Sequence, residues 1–372
     1  MPMSANRITR LTEAMNREGL ATVAIVPGAN LRYLTGVDFH VTSRLSLVLF
    51  PADGGLPCFV VPTLEMARVQ SGIAIPVQFY PWNDATGPAE ALRSAVDKLV
   101  PDTAARVGIE YMVMRVRELR ALEEAAPGLQ TVDATPLLAG LRMVKEQDEL
   151  AAMAEAVRII EVAFQQTIAQ IRPGITEREL ATTLANAIIA AGGDGESFPS
   201  IVAGGPNGAY PHHENSDRPL AVGDLIIIDG GARYGAYLSD MTRTVALGEP
   251  GPEARRIHDL VLRANAAGRA ALRPGISGEA IDQAVRAVIT ADGYGEYFIH
   301  RTGHGLGLDE HEPPYIVAGS TDPLPVGATF TIEPGIYIEG IGGVRIEDDV
   351  VITAEGGRSL TSFKRELIVL PV

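Results

Sequence analysis

Two stretches about a hundred residues apart repeat one helix–turn–helix pattern, and this constrains the fold more than any other feature of the 372-residue chain. "AFQQTIAQIRPGITERELATTLANAI" (163–188) aligns without gaps with "ANAAGRAALRPGISGEAIDQAVRAVI" (264–289). Each copy reads as a helix, a turn, a capping hydroxyl residue and a second helix. The turns are Arg172-Pro173-Gly174-Ile175 and Arg273-Pro274-Gly275-Ile276, followed by Thr176 and Ser277. Pro and Gly stop a helix, and a short hydroxyl side chain starts the next one. The repeat runs on into strands: "GDLIIIDGG" (223–231) lies against "GATFTIEPG" (327–335), which sets Asp229 opposite Glu333. Such a chain is expected to form a domain of two related halves about a pseudo-twofold axis, with equivalent positions facing that axis.

Each of these apolar strands ends in a carboxylate. A buried carboxylate without compensation is too costly to persist, so a basic partner, a proton or a metal ion is required. Asp240 follows Asp229 on another strand-like run, and a two-residue turn at Tyr234-Gly235 would set the two acids directly across a hairpin. In the second half, Glu333 and Glu347 are centred on Gly340, so a second hairpin would bring these two together. Directly opposed residues have Cβ atoms roughly 4.5–5.5 Å apart, where like charges repel unless protonated or bridged by cations. Four carboxylates from two hairpins make a hard, oxygen-rich cage suited to a pair of divalent metals. His304, flanked by Gly303 and Gly305, would complete it. Of the remaining histidines, His258 reads as helical, His300 is equally well explained as an ordinary hydrogen-bonded residue, and His213 is better explained so.

The length suggests two domains. Helix and strand signals alternate through the first portion, from an amphipathic helix near residues 5–19 through the strands "SLVLF" and "PCFVV" to "ARVGIE". They predict an α/β domain over 1–142, followed by the repeat-bearing domain over 143–372. The excess of 46 acidic over 31 basic residues, a net charge of −15, argues against a nucleic-acid or anionic-membrane partner, which needs a basic face. The single cysteine, Cys58, has no partner for an internal disulfide, and the N-terminus lacks the apolar core of a signal peptide; both point to the cytoplasm. Rival motifs fail on geometry. "HEPPY" at 311–315 has Tyr315 where a zinc-protease helix needs its second His, and Pro313 and Pro314 oppose that helix. No G-x-S-x-G or G-x-G-x-x-G pattern is present.

"IIIDGGARYGAYLSDMTRT", "RTGHGLGLDEHEPP", "TIEPGIY" and "VRIEDD" together resemble the signature segments of the pita-bread metallopeptidases, the family of methionine aminopeptidase, prolidase, aminopeptidase P and the metal-free creatinase. The N-terminal portion, with "NLRYLTG", resembles the creatinase-type domain of the Xaa-Pro peptidases. The resemblance implies an N-terminal creatinase-like α/β domain and a C-terminal pseudo-twofold pita-bread domain (α/β, or α+β). It implies a dinuclear centre in which Asp229 chelates one metal, Asp240 and Glu347 bridge both, and His304 and Glu333 complete the other shell. Mn²⁺ or Co²⁺ is favoured by the ligand chemistry, with Zn²⁺ third. By the same resemblance His212 and His311 contact substrate or move a proton, and Glu333 doubles as acid and base. Arg345, two residues before Glu347 and so on the same side of a strand, is expected to pair with a bridging carboxylate. The implied reaction is hydrolysis of an N-terminal Xaa-Pro bond in dipeptides or short peptides. The implied assembly is a homodimer in which His40 reaches a neighbouring site. The rival readings are a related hydrolase of non-peptide amides (creatinase-like or ectoine-type) and a non-catalytic binding protein.

Overall fold

The computed structural model describes residues 6–100 and 104–372. The chain forms two compact units, one ending at Arg142 and the other running from Met143 to Val372. The first helix, expected from about residue 5, is described over Asn6–Glu18, residue 5 lying outside the described residues, and it buries Leu11, Ala14 and Met15 on one stripe.

The first unit is built on a six-stranded sheet, ordered Gln78–Trp82, Cys58–Pro62, Leu47–Pro51, Thr22–Ile25, Arg106–Ile109, Gln130–Asp133. The three strands at 22–25, 47–51 and 58–62 are buried at every position, as apolar runs covered on both faces must be. The turn "PADGGL" joins two of them antiparallel. Cys58 is buried with a free thiol.

In the second unit the sequence repeat becomes a structural one. Helices Gln147–Ile168 and Glu177–Ala190 recur as Pro252–Ala271 and Gly278–Ala291. Thr176 accepts from the Glu179 amide and Ser277 from the Ala280 amide, so each second helix has a hydroxyl cap. Gly174 and Gly275 take φ of 90° and 78°, a left-handed turn open to glycine. Their amides donate to the carbonyls of Leu220 (2.8 Å) and Leu324 (2.9 Å) at matching places. The first helix pair shares a core with a four-stranded sheet of Ile201–Gly204, Leu225–Gly230, Met241–Leu247 and Ile368–Leu370. The second pair shares one with a five-stranded sheet of Gly303–Gly305, Glu312–Ile316, Thr329–Ile332, Asp348–Thr353 and Gly356–Ser359. The fold is mixed α/β, with a pseudo-twofold second unit.

The two hairpins differ in register. Ile332 pairs with Asp348 and Gly335 with Arg345, which centres the second hairpin on Gly340 and sets Glu333 opposite Glu347. The first hairpin corrects the expectation. Asp229 pairs with Thr242, not Asp240, and Tyr234 pairs with Tyr237. The tight turn is Gly235-Ala236, with φ of 56° and 82°, the left-handed pair that a two-residue hairpin turn demands. Asp240 therefore falls opposite Gly231, two places along from Asp229. The two acids remain on one face as diagonal neighbours, and Gly231 is required by the Ser239 carbonyl, which an added Cβ would meet at 1.9 Å.

Candidate metal centre

A cavity of about 460 Å³ in the second unit is lined by Asp229, Asp240, His304, Glu333 and Glu347, together with His212, His300, His311, Arg301 and Arg345. Strand 225–230 delivers Asp229 at its end, and Asp240 sits just before strand 241–247. His304 lies in the short strand 303–305. Added side chains at Gly303 and Gly305 would meet backbone at 1.9 and 2.5 Å, so only glycine lets that strand lie close against its neighbours. Glu333 and Glu347 leave the two arms of the second hairpin.

Asp240, His304 and Glu347 can bring ligand atoms within 4.8 Å of one another. His304 Nε2 lies 3.7 Å from Asp240 Oδ2 and 3.5 Å from Glu333 Oε1. His304 Nδ1 is 3.1 Å from the carbonyl of Gly305. A carbonyl only accepts, so Nδ1 carries the proton and the Nε2 lone pair points to the carboxylates, the arrangement of a metal-ligating imidazole. Burial, reinforced by His311, lowers the His304 pKa to about 3 and keeps the ring neutral.

The acids carry the opposite stress. Burial pushes Asp240 and Glu347 well above the carboxylate range, and neighbouring carboxylates push them further. Glu333 rises to about 7 for the same first reason, with Arg345 opposing. The buried Oδ1 atoms of Asp229 and Asp240 have no hydrogen-bond partner. Orphaned acceptors, repelling carboxylates and a neutral imidazole all favour a cation between them. The residues fit divalent ions.

Arg345 departs from its expected partner. Its Nη2 donates to Asp229 Oδ2 at 2.6 Å, not to Asp240 or Glu347. The register explains this: Arg345 Nε donates to Thr242 Oγ1 at 3.1 Å, and Thr242 lies directly across from Asp229. Thr242 in turn donates to Glu347 Oε2 at 2.6 Å. Arg345 thus holds one oxygen of Asp229 and leaves the other open.

Of the two histidines left open, His300 lines the cavity and His213 does not. His300 Nδ1 donates to the Arg301 carbonyl (2.7 Å), so its Nε2 accepts from Tyr337 Oη (2.9 Å). Tyr337 Oη accepts in turn from Arg345 at 2.9 Å. His213 instead pairs with Glu177 at 2.8 Å. His311 lies against His304, ring centroids 3.9 Å apart, and His212 is an exposed residue of the same cavity. His40 is an exposed loop residue of the first unit. Sequence reasoning missed Tyr337, Arg301 and Glu310. The first two lie 37 and 14 residues from the partners that give them meaning, Tyr337 from His300 and Arg301 from Tyr315, and no spacing rule joins them.

The model of metallopeptidase family M24 matches residues 151–354, and that of the creatinase/prolidase N-terminal domain matches 7–144. The chain is 40% identical over 371 residues to a probable dipeptidase, PepE, of Mycobacterium tuberculosis, covering 99% of this chain and 97% of that one. A solved dipeptidase from Pyrococcus horikoshii is 39% identical with a TM-score of 0.92, covering 98% of this chain and 100% of its own. A prolidase from Thermococcus sibiricus is 35% identical with a TM-score of 0.94, covering 100% of both.

Proposed function

This chain belongs to metallopeptidase family M24, and we propose that it hydrolyses the Xaa-Pro bond at the N-terminus of dipeptides or short peptides. Asp229, Asp240, His304, Glu333 and Glu347 would hold two divalent ions, Mn²⁺ or Co²⁺ before Zn²⁺. The observation that carries this reading is the convergence of two orphaned carboxylate oxygens and a neutral imidazole in one cavity. Relatives named dipeptidase and prolidase support it.

The chemistry such a pair supplies is a more acidic water and stabilisation of negative charge on the scissile carbonyl. The chain's own residues do the rest. Thr242 and Arg345 fix the carboxylates of Glu347 and Asp229. Glu333 is assigned the proton taken from the attacking water and returned to the leaving proline nitrogen. His212 and His311, which line the cavity without belonging to the cage, are assigned the substrate carbonyl and proton movement. A tertiary Xaa-Pro amide offers no N–H, so recognition falls on these groups.

No described helix is long and apolar enough to cross a membrane. The proposed setting is the cytoplasm, and the proposed assembly a homodimer in which His40 of the partner subunit borders the site. Turnover of Xaa-Pro and Xaa-Pro-Yaa peptides with added Mn²⁺ tests the activity. Release of proline or of the N-terminal residue is expected, and release from neither substrate defeats the reading.

A further inference from the structure

Glu177 lies outside the cage and is fully buried, yet five donors converge on its carboxylate. The amide of Gly204 and Nδ2 of Asn207 donate to Oε1, each at 2.9 Å. Oε2 accepts from the Ser216 amide (3.0 Å), Ser216 Oγ (2.6 Å) and His213 Nε2 (2.8 Å). Burial raises the pKa of Glu177, but the donors from Ser216, Gly204, His213 and Asn207 outweigh it and hold the group below its ordinary value. Between Asn207 and His213 the chain carries His212, which lines the cavity. Tyr210-Pro211-His212-His213 is a four-residue turn, closed by the His213 amide on the Tyr210 carbonyl at 3.2 Å, with proline where its fixed φ suits the turn. Arg345 Nη1 donates to the Pro211 carbonyl at 3.4 Å, and Glu177 clamps both flanks. His212 is exposed, and among the described residues its ring makes no hydrogen bond, so the backbone of the turn sets its place.

The repeat separates this clamp from the needs of the helix that Glu177 begins. Its equivalent in the second half is Gly278, where an added Cβ would meet the Tyr315 carbonyl at 2.5 Å. Both junctions keep the same backbone contacts. Thr176 bridges Pro219 and Ser277 bridges Pro323. The amides of Arg178 and Glu279 donate to the carbonyls of Ser216 (3.2 Å) and Ser320 (2.9 Å). A helix start without the carboxylate thus docks on its loop as one with it does. What the first half adds is the turn bearing His212. We infer that Glu177 is a positioning residue for His212, fixing through Asn207, His213 and Ser216 the turn that presents this imidazole to the substrate. The inference rests on the assignment of His212 to the substrate.

The test uses the full chain supplemented with Mn²⁺. kcat and KM for Ala-Pro are measured for the wild type, Glu177→Gln, His213→Ala and His213→Gln, and for Glu177→Gln and His213→Ala again in a His212→Ala background. Amide exchange over residues 205–216 is followed by mass spectrometry. Glu177→Gln and His213→Ala are expected to lower kcat/KM by about 10–100-fold, the cost of misplacing a group by about 1 Å, with Mn²⁺ uptake unchanged. His213→Gln keeps a donor for Glu177 and should recover most of that loss. In the His212→Ala background either change should cost less than about threefold, because its route to the substrate is gone. A purely structural role predicts equal losses in both backgrounds, and that result overturns the inference. So does exchange over 205–216 that Glu177→Gln leaves at the wild-type rate. Should Glu177→Gln not fold, the His213 variants decide the question. Absence of cleavage by the wild type would remove the Xaa-Pro reading, while the exchange comparison would still decide whether Glu177 holds the turn.

Discussion

Glu347 and Asp348 are neighbours in sequence and meet opposite fates. A pleated strand sends them to opposite sides. Asp348 is fully buried, yet Arg243 (2.8 Å) and Arg365 (2.7 Å) outweigh burial and hold its pKa below the ordinary range. Glu347 receives one hydroxyl hydrogen bond and faces other acids. The first is a satisfied structural pair; the second is left to a proton or a cation. Arg345 stands between these cases, since it orients Asp229 without satisfying it. Replacing Arg345 with Met should therefore weaken Mn²⁺ binding by about 10–100-fold, measured by titration of the metal-stripped protein. A different titration belongs to His258, whose two ring nitrogens are buried without hydrogen-bond partners. Burial lowers its pKa from 6.5 to about 4. The unfolded chain then binds the extra proton first, so this contribution is fully present above pH 6.5 and is lost as pH falls toward 4. It amounts to about 2 kcal/mol by pH 5. Urea unfolding of the wild type and His258→Leu at pH 7.5 and pH 5 should show the wild type losing that much more.

Helix 252–271 reaches the residues beside Glu333 and Glu347 through Asn265. Asn265 Nδ2 donates to the carbonyls of Ile332 (3.1 Å) and Ile346 (3.3 Å), the residues just before Glu333 and Glu347. Asn265→Ala would leave two buried carbonyls without this donor and should cost about 1–3 kcal/mol of stability, with weaker metal binding as the accompanying readout. At this scale the sequence was legible where punctuation was strong. The paired Arg-Pro-Gly-Ile turns and their Thr and Ser caps announced the repeat, and Gly340 marked the centre of the second hairpin. It was illegible where the marker was missing. Ala236 adopts φ of 82°, and alanine does not advertise a left-handed turn, so the first hairpin slipped by one place at Gly235-Ala236. The slip left the face of Asp240 intact because its partner became Gly231. Arg345 lies on the expected side of its strand but pairs with Asp229 rather than Asp240 or Glu347, since the partner depends on a ladder that the sequence does not spell out.

Across the whole chain, the two halves of the second unit contribute two carboxylates each, and the imidazole comes from the second half. The family and the mixed α/β fold were readable because the signature segments are local. The cavity wall was not, because Tyr337, Arg301 and Glu310 acquire meaning only when distant strands close around the cage. The central claim is that five side chains from both halves enclose a dinuclear centre. Calorimetric titration of the metal-stripped chain with Mn²⁺ tests this most directly. The account predicts saturation at two ions per chain, with a lower count in Glu347→Gln. Failure of the wild type to take up Mn²⁺, or a count that Glu347→Gln leaves unchanged, would contradict it.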